Sequence, residues 1–264
     1  MPWRDWFGGQ RRPRFDGTTG RPTSSNGASS FHLFWEAGGG PWAAAEAVLE
    51  VVEAPQVPEL HFWALQVSFT DGRGGSGGGA HLGLQWYPIH PGSTAVNWGG
   101  YGGGGGELDG SGSALPSTPG NVNTRDYAWR PGRPYRLRVA AAPPDGQAAA
   151  PAGTTAWRGT VTDLVDGTTT VVRDLYAAGT HLDGPMVWSE VFAPCDAPSS
   201  AVRWSGLVLE AADGRRTEVA AVRVNYQSVP EGGCTTTDVR PAGPGAFVQA
   251  TGTTRTTATG ARLP

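Results

Sequence analysis

The sequence predicts an all-β protein, an antiparallel two-sheet β-sandwich of the jelly-roll, concanavalin A-like kind with roughly eleven or twelve strands. Three observations support this prediction. Apolar and polar residues alternate with a period of two in many short runs. Asp-Gly pairs separate several of those runs, as tight hairpin turns require. Gly (41 residues) and Pro (22) are together about twice as common as in an average protein, and no βαβ alternation appears.

The strands are expected in the following order along the chain. A first strand at 31–36 precedes the alanine-rich stretch 41–52, for which we expect a short turn or helix and then a strand at 47–53. The run 186–193 is apolar on both faces, which places it in the centre of a sheet. Alternation predicts the remaining single strands at 62–69, 82–87, 94–98, 135–139 and 222–226.

Two hairpins are indicated by turn chemistry. The runs 157–164 and 168–175 meet through Asp166-Gly167, and the runs 204–211 and 217–225 meet through Asp213-Gly214. Glycine in such a turn adopts the positive φ that the hairpin needs. Both pairs of runs are therefore expected to be antiparallel neighbours.

The chain divides by composition into a flexible leader at 1–28, a sandwich domain at 29–229 and a Gly/Thr/Pro-rich C-terminal segment at 230–264. In the last segment, Phe247–Ala250 is a candidate edge strand. Two glycine-rich loops, 72–79 and 99–112, interrupt the sandwich. Neither has the G-x-x-x-x-G-K-[ST] pattern or opens a helix, so both are interpreted as mobile surface loops rather than phosphate-binding loops.

Charge and hydropathy exclude several classes of partner. The net charge is −3, which gives no basic footprint for nucleic acid. No run of 18 apolar residues predicts a membrane span. All 20 basic residues are Arg, a bias typical of GC-rich, actinobacterial coding. The N-terminus lacks a signal peptide, which predicts a cytoplasmic protein if the start is correct and a secreted one if the N-terminus is misassigned. The oligomeric state is not indicated.

Metal and cofactor sites are not expected. The five His residues form no H-x-H or H-E-x-x-H motif. Cys195 and Cys234 lie 39 residues apart in loops, and two thiols alone make a poor metal site. They form either a disulfide, which would indicate an oxidising compartment, or two free thiols, and the sequence leaves both open.

No catalytic motif stands out, which favours a non-catalytic protein over an enzyme. A G-x-S-x-G nucleophile elbow, a phosphate loop and a dinucleotide-binding fingerprint are all missing from the sequence. Glycoside hydrolysis needs two carboxylates about 5–10 Å apart. Glu107 and Asp109 begin a Glu-x-Asp-x-x-Glu pattern, but Gly112 stands where its second Glu belongs.

Glu190 is the most interesting acid, because it falls on a predicted central strand and on the same face as Trp188. Burial there would raise the pKa of its carboxyl group. Three interpretations remain: an ion pair with Arg203 or Arg173, which we favour, a contact to a ligand, or catalysis.

Polar and aromatic side chains on alternate strand positions indicate a binding surface on one concave sheet face. We predict a non-catalytic module that binds carbohydrate or a similar polar ligand there. The alternatives are a glycan-active hydrolase or lyase that uses Glu190, and a structural or interaction domain in which the Trp residues belong to the core. The candidate ligand-binding residues are Gln66, Gln85, Tyr87, Asn97, Trp98, Tyr101, Trp188 and Glu190.

Several short motifs occur in an order that resembles a known family. They are Phe31–Trp35, His81–Trp86, the glycine-rich stretch with Glu107, Tyr127–Tyr135, Trp157–Asp163 and Trp188–Phe192. Over about 31–226 the chain resembles a bacterial family of unknown function whose jelly-roll domain is similar to laminin-G and concanavalin-type sandwiches. The resemblance implies the fold, and by analogy it implies carbohydrate binding.

Overall fold

The computed structural model describes residues 15–38, 40–73, 75–116 and 121–264. The described residues form sixteen strands, one short helix (α1, Pro144–Ala148) and two 3-10 turns, at Pro91–Ser93 and Val229–Glu231. The predicted all-β, antiparallel β-sandwich is confirmed. The number of strands exceeds the prediction, because several short strands carry too few residues to show alternation. No helix in the described ranges is long and apolar enough to cross a membrane.

One sheet, which we call the groove sheet, has eight strands in the spatial order β16-β13-β1-β10-β3-β4-β5-β6. All its pairings are antiparallel. Its strands are β1 (Ser29–Trp35), β3 (His61–Thr70), β4 (Ser76–Trp86), β5 (Thr94–Tyr101), β6 (Thr124–Asp126), β10 (His181–Val191), β13 (Val222–Tyr226) and β16 (Arg262–Leu263).

The second sheet, which we call the outer sheet, runs in the order β9-β8-β7-β2-β11-β15-β14, with β12 also paired to β11. A single bridging pair, Leu182 with Trp42, links the two sheets by backbone hydrogen bonds. The outer strands are β2 (Trp42–Glu53), β7 (Pro134–Ala141), β8 (Thr155–Asp163), β9 (Thr169–Ala177), β11 (Ala201–Ala211), β12 (Arg216–Glu218), β14 (Thr237–Pro241) and β15 (Phe247–Thr251).

The core lies between the inward faces of the two sheets. Strand alternation places every second residue there, for example Leu65 and Val67 from the groove sheet and Leu137 and Val139 from the outer sheet, all completely buried. Trp63, Trp98, Trp157 and Trp204 are among the largest side chains in this core. The other face of the groove sheet stays open, and the candidate site forms on it.

Two predicted elements differ from the structure. The whole of Trp42–Glu53 is strand, and the helix or turn expected from its alanines does not form there. Ala44, Ala45 and Ala47 are buried within the sheet, and this packing outweighs their preference for helix. The hairpin at Asp166-Gly167 is confirmed, whereas the strand after Asp213-Gly214 divides into β12 in the outer sheet and β13 in the groove sheet. Gly167 and Gly214 both have positive φ, as predicted.

The segments outside the predicted domain pack against it where they are described. Residues 1–14 of the predicted leader lie outside the described residues, but residues 17–28 are hydrogen-bonded to the sandwich, for instance Thr23 N–H to the Gly232 carbonyl at 3.1 Å. The strand predicted at Phe247–Ala250 forms as part of β15, but its predicted place at an edge is wrong, because β15 pairs with β14 on one side and β11 on the other. The loop after Tyr101 is pinned to β9 by Ser111 and Tyr176, so it is less free than the predicted mobile loop.

Cys195 and Cys234 form a disulfide. It joins the loop after β10 to the loop before β14. Both cysteines are buried. The alternative of two free thiols does not apply to this structure.

Candidate functional site

An open groove of about 700 Å³ lies on the exposed face of the groove sheet. Residues at alternate positions of β1, β3, β4, β5 and β10 point into it, while their neighbours in sequence point into the core. Among the residues that the structure describes, five side-chain amides line the groove, together with aromatic rings and one carboxyl group, that of Glu190. The amides are those of Asn26, Gln66, Gln85, Asn97 and Asn121.

Glu190 sits on β10 opposite Ser30 of β1 and Phe62 of β3. Its Oε1 accepts hydrogen bonds from Asn26 Nδ2 at 2.8 Å and from Ser30 Oγ at 3.3 Å. No donor within the described ranges bonds Oε2. Burial raises the pKa of the Glu190 carboxyl above its ordinary value, although the hydrogen bonds from Asn26 and Ser30 oppose that shift.

The favoured interpretation of Glu190 as one half of an ion pair is wrong. Arg203 instead pairs with Glu50 at 2.7 Å, and the Arg173 guanidinium donates to Asn123 Oδ1 at 2.9 Å. Both arginines belong to strands of the outer sheet, and neither lines the groove. Within the part of the chain that the structure describes, Glu190 therefore has no cationic partner.

Gln66 and Trp188 form a fixed pair on the floor of the groove. The Trp188 indole N–H donates to Gln66 Oε1 at 2.9 Å. Because indole is only a donor, this bond fixes the amide of Gln66 and leaves its two N–H groups for other acceptors. Trp188 also packs edge-on against Phe62, with ring centroids 4.9 Å apart, and against His81 at 5.6 Å.

The strand register places Gln85, Phe62 and Glu190 in one row across three neighbouring strands. The Cα atoms of Gln85 and Glu190 are therefore two strand spacings apart, about 10 Å. The Phe62 ring lies between them as an apolar floor. A small group bound above Phe62 has a carboxyl on one side and an amide on the other.

Asn97 presents an unmet hydrogen-bond acceptor at the groove. Its side chain is buried, with 4 % exposure, and its Nδ2 donates to Thr124 Oγ1 at 2.8 Å. Its Oδ1 is buried and bonds no donor within the described ranges. A buried carbonyl oxygen without a donor is costly, so a ligand N–H or O–H at this point would be favoured.

Six of the eight candidate ligand-binding residues line the groove: Gln66, Gln85, Asn97, Tyr101, Trp188 and Glu190. Trp98 does not, because it follows Asn97 on β5 and so points into the core, where its indole N–H bonds the Trp157 carbonyl. Tyr87 also lies elsewhere, since β4 ends at Trp86 and the chain turns away at that point. The prediction was wrong for these two residues.

Sequence reasoning missed Asn26, Ser30 and Phe62. Asn26 and Ser30 fall in or beside the stretch interpreted as a leader, and Phe62 was treated only as part of an alternating strand. The sequence Ser24-Ser25-Asn26-Gly27 is rich in turn-forming residues, which was the available signal that the chain changes direction there.

Two histidines of the groove are held neutral. Burial lowers the pKa of His32 and that of His81 to about 4 each. Within the described ranges, no three His, Cys, Asp or Glu residues are grouped so as to hold a metal ion. Among the described residues that line the groove, Glu190 therefore carries the one carboxyl group, and His32 and His81 are uncharged at neutral pH.

Comparisons with known proteins give structural matches at low identity. Scytalido-glutamic peptidase with a peptide-based transition-state analogue matches at 12 % identity with a TM-score of 0.48. SCP-B, a member of the eqolisin family of peptidases, in complex with the tripeptide Ala-Ile-His, matches at 11 % and 0.47. Each match covers 88 % of this chain and 98 % of the other. No family model and no curated protein matches the chain.

These matches correct the prediction of a non-catalytic carbohydrate-binding module, because the matched proteins are peptidases. At such identities the likeness concerns the fold alone and assigns no catalytic residue to this chain. The resemblance to a bacterial jelly-roll family and the actinobacterial origin stay predictions. What the chain shares with the solved structures is the β-sandwich.

Proposed function

We propose that the protein is a hydrolase that cleaves amide bonds in an extended polypeptide, with Glu190 as the general acid and base. The observation that supports this most is the position of Glu190. It is a half-buried carboxyl with a raised pKa, and it is the one acid among the described residues that line an open, amide-rich groove. A titratable group perturbed in this way within a cleft is a candidate catalytic residue.

The single carboxyl argues for acyl transfer rather than glycoside hydrolysis. Retaining and inverting glycosidases use two carboxyl groups that flank the scissile bond. Glu107 and Asp109 belong to the loop after β5 and do not line the groove, and Glu107 accepts a hydrogen bond from Asn123. Hydrolysis of a carbonyl compound needs only one acid–base group and donors for the oxyanion.

The proposed step is addition of water to the carbonyl carbon above Phe62. Ionised Glu190 takes a proton from the water while the water oxygen forms a bond to the carbonyl carbon. Negative charge then develops on the carbonyl oxygen. The side-chain N–H groups of Gln85, across the row from Glu190, donate to that oxygen. Glu190 then gives its proton to the nitrogen as the C–N bond breaks, which yields a carboxylic acid and an amine.

The rest of the groove suits a peptide backbone. Side-chain amides both donate and accept hydrogen bonds, as a peptide group does. The N–H groups of Gln66, whose amide oxygen is occupied by Trp188, would donate to a backbone carbonyl. Phe62, Trp188 and Phe192 offer apolar contacts for substrate side chains.

The test is cleavage of a diverse peptide mixture, followed by mass spectrometry between pH 4 and pH 8. The wild-type protein should cleave peptides, and Glu190→Gln should be slower by about 10²–10⁴-fold, the usual contribution of general acid–base catalysis. Glu50→Gln, on the outer sheet, is the matched control and should keep wild-type activity. A parallel panel of polysaccharides tests the alternative, since glycan cleavage without peptide cleavage would overturn the proposed substrate.

A further inference from the structure

Residues 17–28, which we call the strap, cross the end of the groove sheet and reach Glu190. The strap is fastened to the two loops that carry the disulfide. The Thr235 N–H donates to the Gly17 carbonyl at 2.7 Å, and the Cys195 N–H donates to the Gly20 carbonyl at 2.8 Å. Each end of the Cys195–Cys234 bond thus holds one point of the strap.

Two more hydrogen bonds continue this pattern. The Thr23 N–H donates to the Gly232 carbonyl at 3.1 Å, close to Cys234 in sequence. Directly after the strap, Ser29 Oγ accepts from the Cys234 N–H at 2.8 Å. Hydrogen bonds to residues at or near the disulfide therefore hold the strap at Gly17, Gly20 and Thr23.

Hydrogen bonds within the strap orient the side chain of Asn26, near the end of the strap, toward Glu190. Its Oδ1 accepts from Ser24 Oγ at 2.9 Å and from the Ala28 N–H at 3.1 Å. Because both bonds use the oxygen, the Nδ2 group faces the other way and donates to Glu190 Oε1 at 2.8 Å. This arrangement directs a donor to one carboxyl oxygen and leaves Oε2 open to the groove.

We propose that Asn26 is a positioning residue for Glu190 and that the Cys195–Cys234 disulfide maintains this role by holding the strap in place. The inference rests on the proposed function, since it assigns Asn26 to the same site. A fixed carboxyl pre-organises the acid–base group, and a displacement of about 1 Å costs up to about 10²-fold in rate.

The hydrogen bond also has an electrostatic consequence. A donor to a carboxylate stabilises the ionised form, so Asn26 opposes the effect of burial on Glu190. Among the described residues that line the groove, the other titratable side chains are Tyr101 on β5, His32 on β1 and His81 on β4, and both histidines are neutral above a pH of about 4. Loss of Asn26 should therefore raise the pKa of Glu190 while the histidines stay uncharged.

The experiment compares the wild-type protein with Asn26→Ala, Asn26→Ser and the control Thr19→Ala, an exposed position on the same strap. The Glu190 carboxyl is titrated by ¹³C NMR, with its signal assigned by its loss in Glu190→Gln. Asn26→Ala should raise the pKa of Glu190 and lower kcat by about tenfold or more. Asn26→Ser should recover part of both effects, and Thr19→Ala should match the wild-type protein.

A second arm uses the double variant Cys195→Ser/Cys234→Ser, with circular dichroism to confirm that it is folded. Hydrogen exchange of residues 17–28 should become faster, and the pKa of Glu190 should move in the same direction as in Asn26→Ala. Unchanged exchange and an unchanged titration would overturn the role of the disulfide.

The outcomes separate the two proposals. An inactive Glu190→Gln together with an Asn26→Ala variant that has wild-type titration and turnover overturns the positioning role and leaves the proposed function standing. A fully active Glu190→Gln overturns the proposed function itself. A raised pKa with reduced kcat in Asn26→Ala, at unchanged KM, supports both.

Discussion

Glu190 illustrates how one residue acquires chemical character from its surroundings. The strand register puts it beside Phe62 and Ser30, and the strap brings Asn26 to its Oε1. Burial favours the neutral acid, and the two hydrogen bonds favour the carboxylate. The result is a carboxyl whose pKa lies above its ordinary value, in the direction that suits a group proposed to take and give a proton at one site.

The raised pKa of Glu190 predicts how the stability of the protein depends on pH. A group whose pKa is raised by folding contributes stability at pH values below its ordinary pKa, and that contribution is lost as the pH rises through the raised value. Glu190→Gln keeps an acceptor for Asn26 and Ser30 but cannot ionise. Its melting temperature should exceed that of the wild-type protein at pH 8 and approach it at pH 4.

Thermal unfolding followed by circular dichroism across this pH range measures the effect. Glu50→Gln, which alters an exposed pair on the other sheet, serves as the control. A difference between Glu190→Gln and wild type that stays constant from pH 4 to pH 8 would contradict the assignment of a raised pKa.

Gln85 gives a second prediction at the scale of the residue. If its N–H groups bind the oxyanion, Gln85→Ala should lower kcat by about 10²–10³-fold, as loss of one such donor does in other enzymes, with little change in KM. Steady-state kinetics on a peptide identified from the mixture would measure both constants. A rise in KM alone would assign Gln85 to substrate binding instead.

Much of the groove could be predicted from alternation alone. Gln66, Gln85, Trp188 and Glu190 share one face because each falls at an alternate position of a strand. The contribution of Asn26 could not be predicted, since it lies more than 160 residues from Glu190 in sequence and depends on tertiary structure. The error at Trp98 had a different cause, because residues 97 and 98 of one strand cannot both face the groove.

At the scale of the element, a network of ion pairs connects strands β2, β7, β11 and β12 on the outer face of the outer sheet. Glu46, only 6 % exposed, bonds Arg138 and also Arg216, whose Nη2 lies 2.6 Å from its Oε2. Glu210 adds contacts of 3.1 Å to the same two arginines. Burial raises the pKa of Glu46, but its hydrogen bonds from Arg216 and Arg138 outweigh burial and hold it below the ordinary value.

Removal of the negative charge of Glu46 should destabilise the outer sheet. Glu46→Gln leaves Arg138 and Arg216 without their shared buried carboxylate, and we expect a loss of about 2 kcal/mol. This loss of stability is smaller than the loss expected on breaking a fully buried ion pair, because both arginines are partly exposed. Glu50→Gln, in the more exposed pair with Arg203, should cost under about 1 kcal/mol. Urea unfolding would measure both, and equal losses would contradict the special role of Glu46.

Strand β2 shows why the helix preference of its alanines does not determine its secondary structure. Its alanines favour helix, but the stretch pairs with β11 on one side and β7 on the other, and the small side chains fit between the sheets. The short strands β6, β12 and β16 have two or three residues each, too few to establish a period. Both failures arise from pairing between distant segments, which no local pattern contains.

At the scale of the whole molecule, buried histidines limit stability in acid. Burial lowers the pKa of His32, His61 and His81 to about 4 each, below the ordinary value of 6.5. A group whose pKa is lowered by folding contributes stability above its ordinary pKa, and that contribution is lost as the pH falls through the lowered value. The melting temperature should therefore fall between about pH 6.5 and pH 4.

His81→Gln should reduce this fall, because one of the three titrating groups is then missing. Calorimetry at several pH values, with the heat of unfolding checked for reversibility, would measure the slope. An equal slope in the variant and the wild-type protein would contradict the burial of a neutral His81.

The architecture as a whole was the most predictable feature. Alternation and Asp-Gly turns predict the sandwich, because the longer strands have enough residues to show which side chains face the core. The order of strands in each sheet was not predictable, since the chain passes repeatedly between the two sheets, as between β12 and β13. The function depended on that order, because it brings strands distant in sequence, such as β3 and β10, side by side under one groove.

The most direct test is the rate at which purified wild-type protein and Glu190→Gln cleave the same peptide mixture at mildly acidic pH. We predict cleavage by the wild-type protein and a rate at least about 10²-fold lower in the variant. Equal rates in the two proteins, or no cleavage of any peptide by the wild-type protein, would contradict the proposal that the groove is a hydrolytic site built around Glu190.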